Sequence, residues 1–357
     1  MRFPGFEGEW ESRKIGEDCS VLMCKRIFAH QTSEQGDVPF YKIGTIGAEP
    51  DAYISRELFE DYKAKYNYPR EGEVMVTCAG TVGKTIVFNG DDSYYQDSNI
   101  VWLSNPKQLY LNSFLNYYLS RVNWNKLNST TITRIYNDNL RELIIKYPSV
   151  EEQEKIVSLL SLLDQRIAVQ NKVIEKYESL IKALAYENIG KHTTNKTLSE
   201  CVRCSSSTIK ESDLLDGGTV PTYGASGISG YMDNALSEND SILITKDGSG
   251  VGYLRYVRGP HSFVGTLNSM TPNEGVYLPY IYYALQNVCF ESYRTGQAIP
   301  HIYFKDYGKE AIYCPSFDEQ KRLAKGLKMI DSKVEIERAV LQYLHSAKAY
   351  LLSAMFI

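Results

Sequence analysis

No apolar run in the 357-residue chain reaches the roughly 18 residues a membrane-spanning helix needs. No basic-then-apolar start marks a secretory leader. Neither a membrane span nor an exported protein is expected. Cysteine is sparse and odd in number, seven in all, with no regular framework. That argues against a disulfide scaffold and for a reducing cytoplasm. The pair Cys201-Val-Arg-Cys204 has zinc-like spacing but no second pair at a suitable distance, so structural thiols are expected and no metal. Catalytic signatures are missing too. None of the five histidines, His30, His192, His261, His301 and His345, lies in HExxH or beside a GxSxG serine. No Asn-Pro-Pro-aromatic tetrad occurs, and no glycine-rich cofactor loop opens a helix. A basic tail is also absent. The formal net charge is −4, with 17 basic and 19 acidic side chains in 1–148, 5 and 7 in 149–190, 10 and 12 in 191–316, and 7 and 5 in 317–357. A nucleic-acid binder of this composition must sort its cations onto one face or share phosphate contacts with partners.

What is present is a repeat. Residues 148–186 carry apolar positions at Ile156, Leu160, Leu163, Ile167, Ile174, Tyr177, Ile181 and Leu184, the seam of a long helix packed lengthwise on another. A shift of 167 lays Pro148 on Pro315, Glu152 on Glu319, Gln153 on Gln320 and Asp164 on Asp331. The second seam runs Leu323, Leu327, Ile330, Val334, Leu341, Leu344 and Leu351. Both seams break at a matching polar residue, Gln170 and Glu337. These are expected to meet in a hydrogen bond that pins the register of an antiparallel pair.

The segments before each helix repeat as well. Val38-Pro-Phe-Tyr41 is echoed by Val220-Pro-Thr-Tyr223, the run 73–83 by 240–252, and Ile132-Thr-Arg-Ile-Tyr136 by Ile299-Pro-His-Ile-Tyr303. Alternating runs such as Val74–Thr77 and Thr85–Phe88 predict strands, Leu109–Val122 predicts a short helix, and Gly190 is a candidate helix stop. The chain is therefore expected to be α+β: two β-rich domains in pseudo-two-fold arrangement, joined by two long antiparallel coiled-coil helices. The predicted boundaries are 1–148 and 191–316 for the globular domains, 149–190 for the first helix with its connector, and 317–357 for the second helix.

Gly80-Thr-Val-Gly-Lys-Thr85 looks like the end of a phosphate-binding loop, but the first glycine of that pattern is replaced by Cys78. Its echo, Gly248-Ser-Gly-Val-Gly252, lacks the Lys-Ser/Thr. Both read as glycine-permitted turns between strands. The remaining candidates are polar and basic loop residues, the types that pair with phosphates and base edges. In the first domain they are Lys42, Thr81, Lys84, Asn99, Arg121, Thr133 and Arg134. In the second they are Lys246, Ser249, Arg255, Asn268, Arg294, Gln297 and His301. Arg134 recurs as His301, and Lys84 lies near the place of Arg255.

Two unequal globular domains, each followed by a helix opened by Pro148-Ser-Val-Glu-Glu-Gln153 or Pro315-Ser-Phe-Asp-Glu-Gln320, resemble the specificity subunit of a type I restriction–modification enzyme. Trp10–Gly16 and Leu351–Phe356 are similar to that family too. The resemblance covers the whole chain and implies a non-catalytic, sequence-specific DNA-binding subunit. In it the globular parts are target recognition domains, each reading half of a bipartite asymmetric target, and the helices act as a ruler. It also implies double-stranded DNA, two modification (methyltransferase) subunits and restriction/translocase subunits as partners. S-adenosylmethionine, ATP and Mg would then be bound by those partners, and no cofactor by this chain. A helix over 150–186 spans roughly 55 Å, so half-sites about one DNA turn apart are within its reach. The competing expectations are a protein-interaction scaffold on the coiled coil without DNA specificity, and an enzyme using the turns at 80–84 and 248–252.

Overall fold

The computed structural model describes residues 2–124, 134–215, 217–296 and 299–356. The chain divides into two compact units: Met1–Ala168 with Gln342–Ile357, and Val169–Leu341.

Unit 1 is built on a four-stranded antiparallel sheet of β1 (Ser20–Met23), β2 (Val74–Thr77), β3 (Thr85–Val87) and β4 (Ile100–Ser104), in the order β1-β4-β2-β3. Strand β2 is wholly buried, which is why it reads as a continuous apolar run rather than an alternating one. Its alternation appears instead in which core each side chain enters. Val74, Val76, Val101 and Leu103 face a cluster with Phe114, Leu115, Ile156 and Leu160. Met75, Ile100 and Trp102 face the opposite way, onto Val38, Phe40, Phe59 and Tyr94. That second layer includes a three-stranded sheet in which Phe40 and Tyr41 pair parallel with Tyr94 and Tyr95. The short helix α1 (Asn112–Ser120) covers the first face, and Glu11–Lys14 pairs antiparallel with Ile144–Tyr147.

Unit 2 repeats this plan. Its sheet is β5 (Val202–Ser206), β6 (Ser241–Thr245), β7 (Leu254–Val257) and β8 (Leu267–Pro272), in the order β5-β8-β6-β7. Again a three-stranded sheet with one parallel pairing, Thr222 with Ser262 and Tyr223 with Phe263, forms the second layer. The buried apolar cluster on that side is much smaller, comprising Leu243, Val257, Phe263 and Leu267. Hydrogen bonds fill the gap. Buried His261 takes a 2.7 Å bond from Ser241 Oγ at Nε2 and donates from Nδ1 to the Gly259 carbonyl at 2.8 Å.

Two long helices complete the fold: α2 (Val150–Ala185) and, after the short α3 (Leu278–Ala284), α4 (Phe317–Met355). The predicted helix over 109–122 is thus shorter, and β3 stops one residue early. Gly190 does close a final turn over Tyr186–Gly190. The reason is close approach, since a Cβ there would meet Tyr186 and Asn287 at 3.0–3.1 Å, rather than a left-handed backbone.

The helix starts explain the repeated Gln. Gln153, fully buried, accepts from the Leu111 amide at 2.8 Å and donates to the carbonyls of Leu109 (3.0 Å) and Pro148 (2.9 Å). Gln320 makes the same clamp on the Tyr277 amide (2.8 Å), Gly275 carbonyl (3.4 Å) and Pro315 carbonyl (2.8 Å). The repeated aspartates follow suit, with Tyr117 donating to Asp164 at 2.8 Å and Tyr283 to Asp331 at 3.3 Å. The preceding glutamates diverge. Glu152 is buried and holds Arg2 at 2.9 Å, whereas Glu319 pairs with Arg322 one turn on.

The helices pack antiparallel. In unit 1 Asp164 meets Lys348, and Ile156 and Leu160 share a core with Met355 and Phe356. In unit 2 the Gln170 amide donates to the Glu337 carbonyl at 3.0 Å and to its carboxylate, and Glu178 meets Arg338 at 2.5 Å. Gln170 is buried among apolar seam positions while Glu337 keeps partial exposure.

Candidate nucleic-acid interface

In unit 1 the turn between β2 and β3 is a glycine hairpin. Gly80 and Gly83 hold positive φ, and a Cβ on Gly83 would overlap Trp124 at 2.0 Å. The matching turn in unit 2 has Gly248 and Gly252 at positive φ, with Phe290 beneath Gly252 at 2.6 Å from such a Cβ. Both are tight strand connections seated on an aromatic ring or its stem. Beside each hairpin a segment returns to the end of the central strand. The Ile135 amide donates to the Cys78 carbonyl at 2.9 Å, and the Ile302 amide to the Lys246 carbonyl at 2.9 Å. Both isoleucines are buried. Alternation along an extended chain therefore turns their neighbours outward: Arg134 and Tyr136 in one unit, His301 and Tyr303 in the other.

These flanking groups form the candidate surface. Tyr136 is 60% exposed and Tyr303 47%. Arg134 lies over the Tyr136 ring at 6.0 Å, while His301 meets Tyr303 edge-on at 5.0 Å and Lys305 lies over the same ring at 5.2 Å. Arg134 is braced by Asn99 Oδ1 at 3.2 Å and by Ser98 O and Oγ at 3.4 Å. In unit 2, Lys246, Asp247, Tyr303 and Lys305 line a cleft of about 310 Å³. In unit 1 a cleft of about 320 Å³ is lined by Arg26, Lys42, Gln96 and Asn99. Exposed aromatics beside cations can stack on bases and attract phosphates.

The remaining candidates are already engaged or fall elsewhere. Lys42 pairs with Asp51 at 3.0 Å and Arg294 with Glu291 at 2.5 Å, so each carries its own counter-ion. Lys84 is committed to the Ile46 carbonyl. Its counterpart is Tyr253, not Arg255: the Thr77 amide donates to Lys84 O and the Thr245 amide to Tyr253 O, both at 3.0 Å, because the second turn is longer by one residue. Arg121 lies against Tyr118 and Phe356 at 5.8 Å and shares no partner with Arg134. Thr81 and Ser249 are exposed at the hairpin tips. Arg255 is held between Tyr223 and Tyr253 at 5.7 and 5.6 Å and lines a separate cleft of about 430 Å³ with Glu178, Asp331 and Arg338. Asn268 is a correction. It lines the cleft with Lys246 and Tyr303 but is buried, accepts from Ser206 at 2.8 Å and donates to Tyr307 at 3.2 Å, so its side chain is engaged within the fold rather than presented on a loop. Thr133 and Gln297 lie outside the described residues.

Sequence reasoning missed Tyr136, Tyr303 and Lys305. The signal was the repeated Ile-Tyr, in which a buried residue guarantees an outward-facing ring next to it.

The cysteine pair is not a unit. The neighbouring Cys314 sulfur and burial push the Cys201 thiol up, while Cys204 sits near the Tyr307 hydroxyl at 3.9 Å. Among the described residues no group of His, Cys, Asp or Glu is arranged to hold a metal, and no helix is long and apolar enough to cross a membrane.

Each unit also presents apolar side chains on its helix segments. They are Leu162 (60% exposed), Tyr343 (73%) and Tyr350 (62%) in unit 1, and Val169 (51%), Met329 (67%) and Ile336 (55%) in unit 2. Leu162 and Val169 are seven apart, and the same shift of 167 lays them on Met329 and Ile336.

One α+β frame used twice, with different side chains at the same outward positions, defines a duplicated recognition protein. The chain belongs to the type I restriction modification DNA specificity domain family, whose model matches residues 7–179 and 194–345. It is 49% identical over 147 residues to a Haemophilus influenzae protein assigned as a type I restriction enzyme specificity subunit, a match covering 41% of this chain and 38% of that relative. It is 24% identical over 314 residues to a type I specificity subunit assigned in Mycoplasma pneumoniae, covering 79% and 82% of the two chains. The S subunit of a type I restriction-modification system from M. genitalium has the same fold, with a TM-score of 0.60 at 21% identity over 100% of this chain and 99% of that one. A chain from a type I R-M system studied for its assembly and conformational transition gives a TM-score of 0.52 at 16% identity, covering 99% and 98%. Nothing in these likenesses favours a scaffold without DNA specificity.

Proposed function

We propose that this chain reads a bipartite, asymmetric double-stranded DNA sequence, one half with each unit, and positions adenine-methyltransferase and restriction subunits on it. The observation that carries the reading is the shared frame with unlike tips. The same backbone bond fixes Ile135 and Ile302, yet the residues it turns outward are Arg134 in one unit and His301 in the other. Equal frames give two comparable half-sites, and unequal tips give them different sequences. Helices of 36 and 39 residues, roughly 54 and 58 Å at 1.5 Å per residue, suit a spacer between the halves.

In this reading the chain is non-catalytic, and S-adenosylmethionine, ATP and Mg belong to its partners. The exposed apolar groups on each unit's helix segments supply two docking faces, one for each of two modification subunits, by helix-against-helix packing. Mild overall acidity is tolerable because partners share the phosphate contacts. The free cysteines suit a reducing cytoplasm.

The test is methylation of mixed-sequence DNA by the complex reconstituted with its methyltransferase subunits. A split, strand-asymmetric motif is expected. Exchanging residues 20–145 for those of another member of the family should change one half alone. An unchanged motif after that exchange refutes the reading.

A further inference from the structure

We propose that Arg134 reads a guanine in the half-site met by unit 1, with Asn99 and Ser98 as its positioning residues, and that His301 reads an exocyclic amino group of adenine or cytosine from the matching place in unit 2. This rests on the DNA-reading function proposed above.

Arg134 differs from the carboxylate-paired cations of its unit. Unlike Lys84, which is spent on the Ile46 carbonyl, and Arg121, which lies on Tyr118 and Phe356, it is held by side chains at the outward face of the Ile135 anchor. Lys42, Arg26 and Arg56 are paired with Asp51, Asp97 and Asp92. Arg134 is held by neutral oxygens of Asn99 and Ser98, and among the described residues no carboxylate forms an ion pair with it. A guanidinium has five N–H donors in a fixed plane. The brace engages one nitrogen on Asn99 and another on Ser98, which leaves donors to spare. The plane is therefore oriented in advance without being neutralised. Guanine offers O6 and N7 side by side in the major groove, the acceptor pair a guanidinium edge matches. Preorientation lowers the entropic cost of that contact. The anchor is rigid, since Ile135 is 2% exposed and bonded to the end of the central sheet.

His301 sits on the same anchor, through Ile302, 1% exposed, but its chemistry is opposite. Its Nδ1 lies 3.1 Å from the Ile299 carbonyl. A carbonyl only accepts, so Nδ1 carries the proton, and in the neutral ring Nε2 is left as an acceptor. A single acceptor cannot make the two-donor contact with guanine. It suits N6 of adenine or N4 of cytosine, which are donors in the major groove.

The experiment uses the full chain in complex with its methyltransferase subunits, acting on duplexes randomised at every position, with the modified sequences read out. For the wild type, the half assigned to unit 1 by exchange of residues 20–145 should hold an obligatory guanine. Arg134→Lys keeps the charge but not the planar fork. It should cut preference for that guanine by about 5- to 150-fold, leave the other half unchanged and leave the salt dependence of binding unchanged. Asn99→Ala should relax the same position, an effect that a purely structural residue would spread over the whole half. His301→Arg should alter only the other half. If either Arg134→Lys or Asn99→Ala folds poorly, the other carries the test. The proposal is overturned if the unit 1 half holds no obligatory guanine. It is equally overturned if both variants keep the wild-type motif, or if Arg134→Lys weakens modification of all sequences alike, the mark of a phosphate contact. A wild-type complex with no split motif brings down the DNA-reading function itself. An intact split motif with unaltered variants brings down this assignment alone.

Discussion

Replacing Gln153 by Ala should destabilise unit 1 far more than a typical polar-to-Ala change. The Gln153 side chain is fully buried and satisfies three backbone groups, the Leu111 amide and the Leu109 and Pro148 carbonyls. Truncation leaves those groups without it in a site too enclosed for water to enter freely. Each orphaned buried group costs about 1–3 kcal/mol, partly relieved by relaxation, so a loss of roughly 3–5 kcal/mol is reasonable. Gln153→Glu separates packing from hydrogen bonding, since it keeps the shape. An ionised carboxylate still accepts from Leu111 but faces two carbonyls with no proton to offer. Burial and those carbonyls would hold the folded pKa of such a Glu above its unfolded value. Stability of this variant should therefore fall as pH rises through that folded pKa and recover towards acid. The assay is urea denaturation at several pH values, with amide hydrogen exchange read by segment to locate the loss. Protection should drop in β2, β4 and α1, while Gln320→Ala should do the same to β6, β8 and α3. A cost below about 1 kcal/mol for Gln153→Ala, or a pH-independent Gln153→Glu, would refute the clamp.

Three other outcomes are expected. The double change Gln170→Leu with Glu337→Leu should raise the stability of unit 2, because it completes two apolar seams. It should also broaden the spacing tolerated between half-sites, read by methylation of targets with altered gaps. Asp331→Asn should stabilise unit 2 at neutral pH and lose that advantage in acid, as followed by urea melts. Burial, then the Glu335 charge, hold the Asp331 carboxyl above its usual value, so its ionised form burdens the fold above that pKa. Met329→Asp in unit 2 and Tyr350→Asp in unit 1 should leave folding intact, as both residues are exposed. Each should remove one methyltransferase subunit from the complex, counted by mass.

Much of this was legible in the sequence, and the reasons differ by element. The long helices announced themselves because a seam of period 3.5 sustained over about eight turns has no other explanation. The duplication showed because Pro148–Gln153 and Pro315–Gln320 must be alike to make the same three-bond clamp. Strands β2 and β6 showed as apolar runs, although their two-sided burial hid which residue enters which core. The candidate surface was harder. A lysine in a loop looks the same whether it meets Asp51, as Lys42 does, or solvent, and Asn268 looks like a loop reader until its bonds to Ser206 and Tyr307 are seen. Partners of that kind lie tens of residues away and leave no local trace. Tyr136 and Tyr303 could have been found, because an isoleucine repeated between polar neighbours fixes its own direction and theirs.

The uneven second layers of the two units carry a thermal consequence. In unit 1 the outer sheet rests on a broad apolar cluster from Val38 and Phe40 to Trp102. In unit 2 it rests on four buried apolar side chains and on hydrogen bonds through Ser241, His261 and Ser262. Apolar exposure raises the heat capacity of unfolding and polar exposure lowers it. The outer layer of unit 2 should therefore open with the smaller heat-capacity change and the flatter stability curve. On cooling towards 0 °C the layer in unit 1 should weaken more, as hydrophobic driving force fades. The two recognition surfaces, alike in frame, would then tighten and loosen with temperature on different schedules.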